Sequence, residues 1–169
     1  QCTVGAIVND IIAVGALPLS VEMHLAVGAS TWFKDEEKCQ ALIRGWADAC
    51  NLARCAWGGG ETPTLKGIVN PESAVLSGSA MGFIESNSQY LNGSKIRSGD
   101  AIILVHSSGI HANGLTLTRE IAGKLSDGFF TKLPGSGRMY GETLLDKTII
   151  YVPLIDDCFR SGIELHYAV

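Results

Sequence analysis

The spacing of apolar residues near the start of the chain predicts a helix followed by a strand. In "TVGAIVNDIIAVGALP", residues 3–18, the apolar positions recur at the spacing of one helix face. In "PLSVEMHLAVG", residues 18–28, they alternate with Ser20, Glu22 and His24. Because a period of two is typical of a strand, these polar side chains are expected on a wet or ligand-facing side of a sheet.

A second helix is predicted over residues 35–53. The segment begins with acidic residues, which stabilise a helix N-terminus. The apolar residues that follow share one stripe of the helix surface, as expected when that side faces a core. The stripe consists of Leu42, Ile43, Trp46 and Cys50.

Strand and helix patterns interleave through the rest of the chain. Strands are predicted for "CAW", which ends at "GGGETPTLKG", and for "AVLSGSAMGFIE", "AIILVH" and the terminal "IELHYAV". Helices are predicted for "GLTLTREIAGKL", "GETLLDKT" and "YVPLIDDCFRSG". This order favours an α/β or α+β fold in which a sheet carries helices on one face.

Composition narrows the functional classes. The chain has 169 residues, of which 46% are hydrophobic and 18% charged, so it is large enough to form its own core. A net charge of −4 without a Lys/Arg cluster argues against nucleic acid or an anionic membrane as partner. Five cysteines without CxxC spacing suggest reduced thiols in a cytosolic protein rather than a zinc site. Asn9 and Asp10 interrupt the apolar opening segment, so neither a signal peptide nor a membrane span is expected.

The segment "GGGET", residues 58–62, is the first candidate for chemistry. Consecutive glycines let the backbone approach a ligand, Glu61 suits Mg²⁺ or a ribose hydroxyl, and Thr62 suits a phosphate. A tight turn with a solvated glutamate explains the same residues equally well, because the motif alone is weak. Both interpretations stay open at this point.

The pair Asn9–Asp10 in "VND" is the second candidate. Polar side chains within an otherwise apolar helix cost stability unless they find partners. They either lie on the solvent face or serve a site. A carboxylate such as Asp10 suits a hard cation, because Mg²⁺ takes oxygen ligands.

The loop "SSGIHANG", residues 107–114, is the third candidate, and it precedes a predicted helix. The N-terminus of a helix presents unpaired N–H groups that can bind an anion. The loop residues of interest are Ser107, Ser108, Gly109, His111, Asn113 and Gly114. His111 can bind phosphate or transfer a proton, although a lone histidine is more often structural, and Asn113 can instead cap the helix. The chain has no P-loop, GxGxxG or GxSxG motif, so any nucleotide chemistry is of another kind.

Four motifs together resemble a known family. In order, "VNDIIAVGALPL", "GGGETPTLKG", "GSKIRSGDAIILVHSSGIHANGLTL" and "YGETLLDKTIIYV" are similar to aminoimidazole ribonucleotide synthetase, the phosphoribosylformylglycinamidine cyclo-ligase of purine biosynthesis. The resemblance extends over nearly the whole chain. The same superfamily includes formylglycinamidine ribonucleotide synthetase, thiamine-monophosphate kinase, selenophosphate synthetase and a hydrogenase maturation protein.

The resemblance implies an architecture and a reaction. Residues 1–160 would form an N-terminal-type domain and residues 161–169 the junction to a second domain. A mixed sheet backed by helices would pair with a second copy into a β-barrel, with ATP near the dimer interface. The enzyme would be a cytoplasmic homodimer that uses ATP and Mg²⁺ to close the ring of a small ribonucleotide substrate, and it would bind neither nucleic acid nor a membrane.

The resemblance also assigns roles to residues. The nucleotide-binding set would be Asn9, Asp10, Gly59, Gly60, Glu61 and Thr62, with Asp10 and Glu61 as metal ligands. The substrate phosphate would be bound by Ser107, Ser108, Gly109, His111, Asn113 and Gly114, with His111 also catalytic.

Two departures from the family pattern lead to alternatives. The glycine-rich nucleotide segment expected upstream of the first helix is absent, and "PTLKGIVNPES" replaces the expected Met- and acid-rich continuation after "GGGET". The chain is therefore expected to be a fragment or a natural truncation, and whether its isolated form is active stays open. The alternatives are another ATP-using member of the superfamily, similar to formylglycinamidine ribonucleotide synthetase or a small-molecule kinase, and a non-catalytic dimerisation or ligand-binding module.

Overall fold

The segments with helical spacing form helices in the structure, a computed structural model that describes all of residues 1–169. The helices are α1 (Cys2–Ala13), α2 (Glu36–Leu52), α3 (Leu115–Lys124), α4 (Tyr140–Thr143) and α5 (Val152–Arg160). Short 3₁₀ helices cover Ser30–Lys34 and Gly128–Phe130. The strands are β1 (Leu17–Val27), β2 (Ala56–Glu61) and β3 (Ala74–Phe83). The side chain of Asp35 accepts a hydrogen bond from the Lys38 backbone N–H at 3.0 Å, which caps the acidic start of α2.

The chain divides into two compact units. The first unit comprises Thr3–Ala101 and Ile150–Val169, together with Gln1. The second unit comprises Ile102–Ile149, together with Cys2. The predicted domain boundary at residue 160 stays a prediction.

A three-stranded mixed sheet in the order β2-β1-β3 forms the centre of the first unit. Strand β1 runs parallel to β2 and antiparallel to β3. Its alternate residues Val21, Met23, Leu25 and Val27 are all buried. The α/β class with a mixed sheet is confirmed, and the period of two in β1 is explained by one covered and one open face.

The hydrophobic core lies on one face of this sheet. Helices α1, α2 and α5 contribute Val4, Val8, Ile12, Trp46, Ala49, Cys50 and Val152 to the same buried cluster as the apolar residues of β1. The opposite face of β1 carries Ser20, Glu22 and His24, which are only partly buried. The prediction of helices on one face is therefore correct for the first unit.

An ion-pair cluster fastens α5 to the turn after α2. Asp156 is 4% exposed. Its carboxylate accepts hydrogen bonds from Arg54 Nη1 at 2.5 Å and from Arg160 Nε at 2.7 Å. Burial raises the pKa of Asp156, but the bonds from these two guanidinium groups outweigh that effect and hold the pKa below its ordinary value. The cluster is structural, because both arginines are engaged with it.

Several sequence predictions are wrong in detail. Ile43 is 48% exposed on α2, and Ala49 is buried in the stripe instead. The predicted strand "AIILVH" forms no strand, and its residues Ile102 and Leu104 are 87% and 91% exposed. The terminal "IELHYAV" also has no regular structure. An apolar run forms a strand only where a neighbouring strand offers its hydrogen-bonding groups, and in this structure neither segment is paired into the sheet.

Candidate functional site

The triple glycine of "GGGET" lies within strand β2 rather than in a loop after it. Val21 pairs with Trp57 and Glu22 pairs with Gly59, so Gly58 is the extra residue of a β-bulge. A Cβ at Gly58 would lie 2.5 Å from Glu22 Oε1. The predicted end of the strand at "CAW" is therefore wrong, because the bulge lets the strand continue through the glycines to Glu61.

The neighbouring glycines differ in what surrounds them. A Cβ at Gly60 would overlap the carbonyl oxygen of Met23, so the close approach at this position is to strand β1. Gly59 has a φ of 141° and open space around it. Of the two, Gly59 is the position where the backbone is accessible to a ligand.

A shallow cavity of about 330 Å³ adjoins the end of β2 on the open face of the sheet. It is lined by Glu22, Met23, His24, Gly60, Glu61, Ser77, Gly78 and Ser79. Glu61 is the sheet partner of His24, so a predicted nucleotide-binding residue lies beside the wet side of β1. Two of the predicted nucleotide-binding residues, Gly60 and Glu61, thus share one concave surface.

Hydrogen bonds connect the polar side chains of this surface. Glu22 accepts from Ser20 Oγ at 2.7 Å and from Ser79 Oγ at 3.5 Å. His24 Nδ1 lies 3.3 Å from Ser77 Oγ. The alternation in β1 predicted the polar side chains of that strand, whereas Ser77 and Ser79 of β3 were not predicted. Their alternation in "LSGSA" was the available signal.

The two residues of the "VND" pair have different surroundings. Asn9 Oδ1 accepts a hydrogen bond of 3.0 Å from the backbone N–H of Tyr151, the residue before α5. This bond gives Asn9 a structural function. Asp10 is exposed on α1, so a ligand can reach its carboxylate from the solvent.

Asp10 and Glu61 are the carboxylates predicted to bind a metal ion. No group of three or more His, Cys, Asp or Glu side chains in the structure is arranged to hold one. Mg²⁺ is commonly bound through one or two carboxylates, with waters and substrate phosphates completing its shell. Asp10 lies on α1, which packs on the covered face of the sheet, whereas Glu61 lines the cavity on the open face, so the structure does not bring these two carboxylates together.

In the second unit, the hydroxyl groups of the "SSGIHANG" loop bind protein carbonyls. Ser107 Oγ donates to the Gly109 oxygen at 3.0 Å, and Ser108 Oγ donates to the Lys147 oxygen at 2.6 Å. These bonds fix the shape of the loop. The donors that can meet an anion are therefore backbone N–H groups rather than the serine hydroxyls.

His111 adopts a backbone conformation that is uncommon for a non-glycine residue, with φ of 54°. Its Nε2 atom accepts a hydrogen bond from the Ser108 backbone N–H at 3.3 Å. This bond closes the loop between Ser108 and His111.

Helix α3 begins without a side-chain cap. Its N-cap residue is Gly114, with φ of 67°, and no side chain caps the N-terminus. Asn113 is exposed and does not cap the helix, so that interpretation is wrong. The uncapped N–H groups of the first turn retain the anion-binding character of a helix N-terminus.

An ion pair that the sequence analysis missed lies against this loop. Arg138 donates to both carboxylate oxygens of Asp146, at 2.9 Å from Nη1 and 2.7 Å from Nη2. The hydrogen bonds from Arg138 hold the pKa of Asp146 below its ordinary value. A Cβ built on Gly109 would lie 3.7 Å from the Cβ of Asp146.

Comparison with known proteins identifies the family. Residues 1–84 match the family model described as AIR synthase related protein, N-terminal domain. The chain belongs to this family. The matched residues contain all three strands of the sheet, so the family fold is the first unit's sheet with α1 and α2.

Curated relatives of the family extend the similarity over the rest of the chain. A phosphoribosylformylglycinamidine cyclo-ligase from Shouchella clausii is 36% identical over 96% of this chain and 46% of its own length. A protein with the same name from Carboxydothermus hydrogenoformans is 38% identical over 90% of this chain and 44% of its own length. The Gallus gallus trifunctional purine biosynthetic protein adenosine-3 is 38% identical over 99% of this chain and 16% of its own length. The chain thus spans less than half the length of these relatives.

Solved structures support the same fold at lower similarity. Two crystal structures of HypE from E. coli, described in one case as a hydrogenase maturation protein, align with TM-scores of 0.57 and 0.59 at 18% identity. The first alignment covers 93% of this chain and 42% of HypE. At this identity the likeness concerns the fold alone.

Proposed function

We propose that this chain is part of an ATP-dependent enzyme that closes the imidazole ring of formylglycinamidine ribonucleotide in purine biosynthesis. The observation that supports this most strongly is the identity of 36–38% to proteins named as cyclo-ligases over 90–96% of the chain. The ordered set of four sequence motifs supports the same reaction. The partner molecule is a small ribonucleotide rather than nucleic acid.

The reaction makes a poor leaving group into a good one. ATP phosphorylates the formyl oxygen of the substrate, and a substrate nitrogen then displaces phosphate as the ring closes, with release of ADP and phosphate. Catalysis of this kind depends on positioning and on neutralising charge on the transferred group. The protein groups that we assign to it are therefore hydrogen-bond donors, carboxylates for Mg²⁺ and a proton carrier.

Nucleotide binding is assigned to the first unit. Gly59 offers an accessible backbone, and Glu61 lies at the cavity on the open sheet face. Asp10 and Glu61 would each offer a carboxylate ligand for Mg²⁺, which would neutralise charge on the phosphates when bound. The remaining members of this set are Asn9, Gly60 and Thr62.

The phosphate of the substrate is assigned to the loop of residues 107–114 in the second unit. The loop leads into the uncapped N-terminus of α3, which favours an anion. Serine hydroxyls and His111 Nε2 hold the loop in shape, and we assign the transfer of a proton to His111. Backbone groups can thus bind an anion although the chain carries a net charge of −4.

The open face of the sheet is assigned as the surface that binds a second copy of the chain. Gly78 and Gly82 of β3 face α1, so the residues at odd positions point away from the helices. Three of these, Val75, Met81 and Phe83, are at least 50% exposed. Exposed apolar side chains on this face support a homodimer in which two sheets share a β-barrel. In that case Met81→Asp should shift the sedimentation coefficient toward that of a monomer.

We assign the protein to the cytoplasm. All five cysteines are free thiols, as expected for a reducing compartment. No helix combines the length and the apolar character needed to cross a membrane.

The experiment that tests the proposed function is substrate-dependent release of ADP. The enzyme that contains this chain should release ADP from Mg·ATP only when formylglycinamidine ribonucleotide is present. Asp10→Asn and His111→Ala should lower this rate, whereas Asp48→Asn, an exposed carboxylate on α2, should leave it unchanged. ADP release at the same rate with and without formylglycinamidine ribonucleotide would favour another ATP-using member of the superfamily. No ADP release when both ATP and formylglycinamidine ribonucleotide are present would contradict the proposal.

A further inference from the structure

The Arg138–Asp146 ion pair belongs to a small hydrogen-bond network within the second unit. Besides its two bonds to Asp146, Arg138 Nη2 donates to the carbonyl oxygen of Glu142 at 3.1 Å. The Glu142 carboxylate in turn accepts from the backbone N–H of Met139 at 2.7 Å. Guanidinium and carboxylate thus meet in the bidentate geometry that gives the strongest ion pairs.

The loop of residues 107–114 rests on the chain segment that carries this pair. An ideal Cβ at Gly109 would lie 4.0 Å from Asp146 Oδ2 and 3.5 Å from the Thr143 carbonyl oxygen. Ser108 Oγ bonds to the carbonyl oxygen of Lys147, the residue after Asp146. The carboxylate of Asp146 is therefore the charged group nearest to Gly109 among these neighbours.

A carboxylate in this position opposes the binding of an anion by the loop. A negative charge beside a phosphate raises the free energy of the complex unless a cation compensates it. Arg138 provides that compensation in the unbound protein. Its side chain is 45% exposed, so the guanidinium can turn toward solvent and reach a bound anion.

We propose that Arg138 is the cationic partner of the substrate's phosphate group, and that Asp146 holds it beside Gly109 until the phosphate arrives. This inference rests on the proposed function, in which the loop of residues 107–114 binds that phosphate. On binding, the guanidinium exchanges hydrogen bonds with Asp146 for bonds with phosphate oxygens. Asp146 thereby competes with the phosphate for Arg138, and this competition sets the affinity of the loop for the phosphate.

Opposite effects of two substitutions test this exchange. Binding of ribose 5-phosphate is measured by calorimetry on the full chain. Arg138→Gln should weaken binding roughly tenfold, which corresponds to about 1.4 kcal/mol, because a charge-assisted contact is lost. Asp146→Asn should tighten binding several-fold, since the competing carboxylate is gone. Arg119→Gln removes an exposed charge from α3 and should change the affinity little.

The outcomes separate this inference from the function on which it rests. If the pair only supported the loop, both substitutions would weaken binding, and that result would overturn the inference. Unchanged affinity in Arg138→Gln would also overturn it while leaving the loop as a phosphate site. The amide NMR signals of Gly109 and Gly114 report on the loop directly. If ribose 5-phosphate left these signals unchanged in the parent protein, the proposed phosphate site itself would be contradicted. Thermal unfolding of each variant establishes that it is folded.

Discussion

Two glycine-to-alanine substitutions are expected to change stability in opposite directions. In Gly78→Ala on β3, the new methyl group would overlap the carbonyl oxygen of Glu22. It would also lie 3.1 Å from Ile7 Cδ1 and 3.1 Å from Trp46 Cη2. In Gly45→Ala on α2, the methyl group would have no neighbour within 4 Å.

The magnitude follows from these surroundings. Overpacking a core costs about 1–3 kcal/mol, and the Glu22 carbonyl cannot rotate aside because it belongs to the paired strand β1. Loss of unfolded-state freedom at Gly78 offsets about 0.4–1 kcal/mol of this cost. Alanine within a helix stabilises by about 1 kcal/mol relative to glycine. We therefore expect Gly78→Ala to lose about 1–2 kcal/mol and Gly45→Ala to gain about 1 kcal/mol.

Urea unfolding followed by tryptophan fluorescence measures both free energies. The parent and the two variants should have equal m-values. The urea midpoint should be highest for Gly45→Ala, intermediate for the parent and lowest for Gly78→Ala. A Gly78→Ala variant at least as stable as the parent would refute the packing of α1 and α2 against β3. A changed m-value would instead indicate an altered unfolded or native state.

Two further predictions concern titratable groups. Asp156→Asn should cost about 1–2 kcal/mol at pH 7, less than a fully buried pair, because its partners Arg54 and Arg160 are 45% and 74% exposed. Because the folded-state pKa of Asp156 is lowered, this stability is present above the unfolded pKa of about 3.9 and is lost as the pH falls through the folded pKa. The urea midpoints of parent and variant should therefore converge as the pH falls through the folded-state pKa of Asp156, and a difference in midpoint that does not change with pH would contradict the ion pair. Burial and the adjacent Cys50 raise the pKa of Cys55 to about 11. Alkylation of Cys55 by iodoacetamide, followed by mass spectrometry, should accordingly accelerate roughly tenfold per pH unit between about pH 8 and 10, and a rate that levels off near pH 8 would be inconsistent with this environment.

The elements of the first unit were predictable because their patterns record which face is buried. Alternation in β1 identified Val21 and Met23 as core residues, and the stripe of α2 identified Trp46. The apolar run at residues 101–106 carried no such information. Whether it forms a strand depends on a pairing partner, which is a tertiary property.

The candidate site was predictable only in part. The glycines of "GGGET" suggested close approach to a ligand, whereas Gly60 is required by its close approach to the Met23 backbone of β1 and Gly58 is the extra residue of a bulge beside Glu22. The Arg138–Asp146 pair joins residues outside any long periodic element, so no pattern indicated their contact. The assignments to ATP, Mg²⁺ and phosphate came from family resemblance and stay predictions.

Thermal unfolding with increasing Mg·ATP tests the central claim most directly, namely that this chain binds the nucleotide. Parallel titrations use Mg²⁺ alone and ATP with a chelator. A ligand that binds only the folded state raises stability by about 2.7 kcal/mol at a hundredfold excess over its dissociation constant. The proposed function predicts a rise in Tm with Mg·ATP that Asp10→Asn diminishes. An unfolding temperature that is the same with and without Mg·ATP would contradict nucleotide binding by this chain.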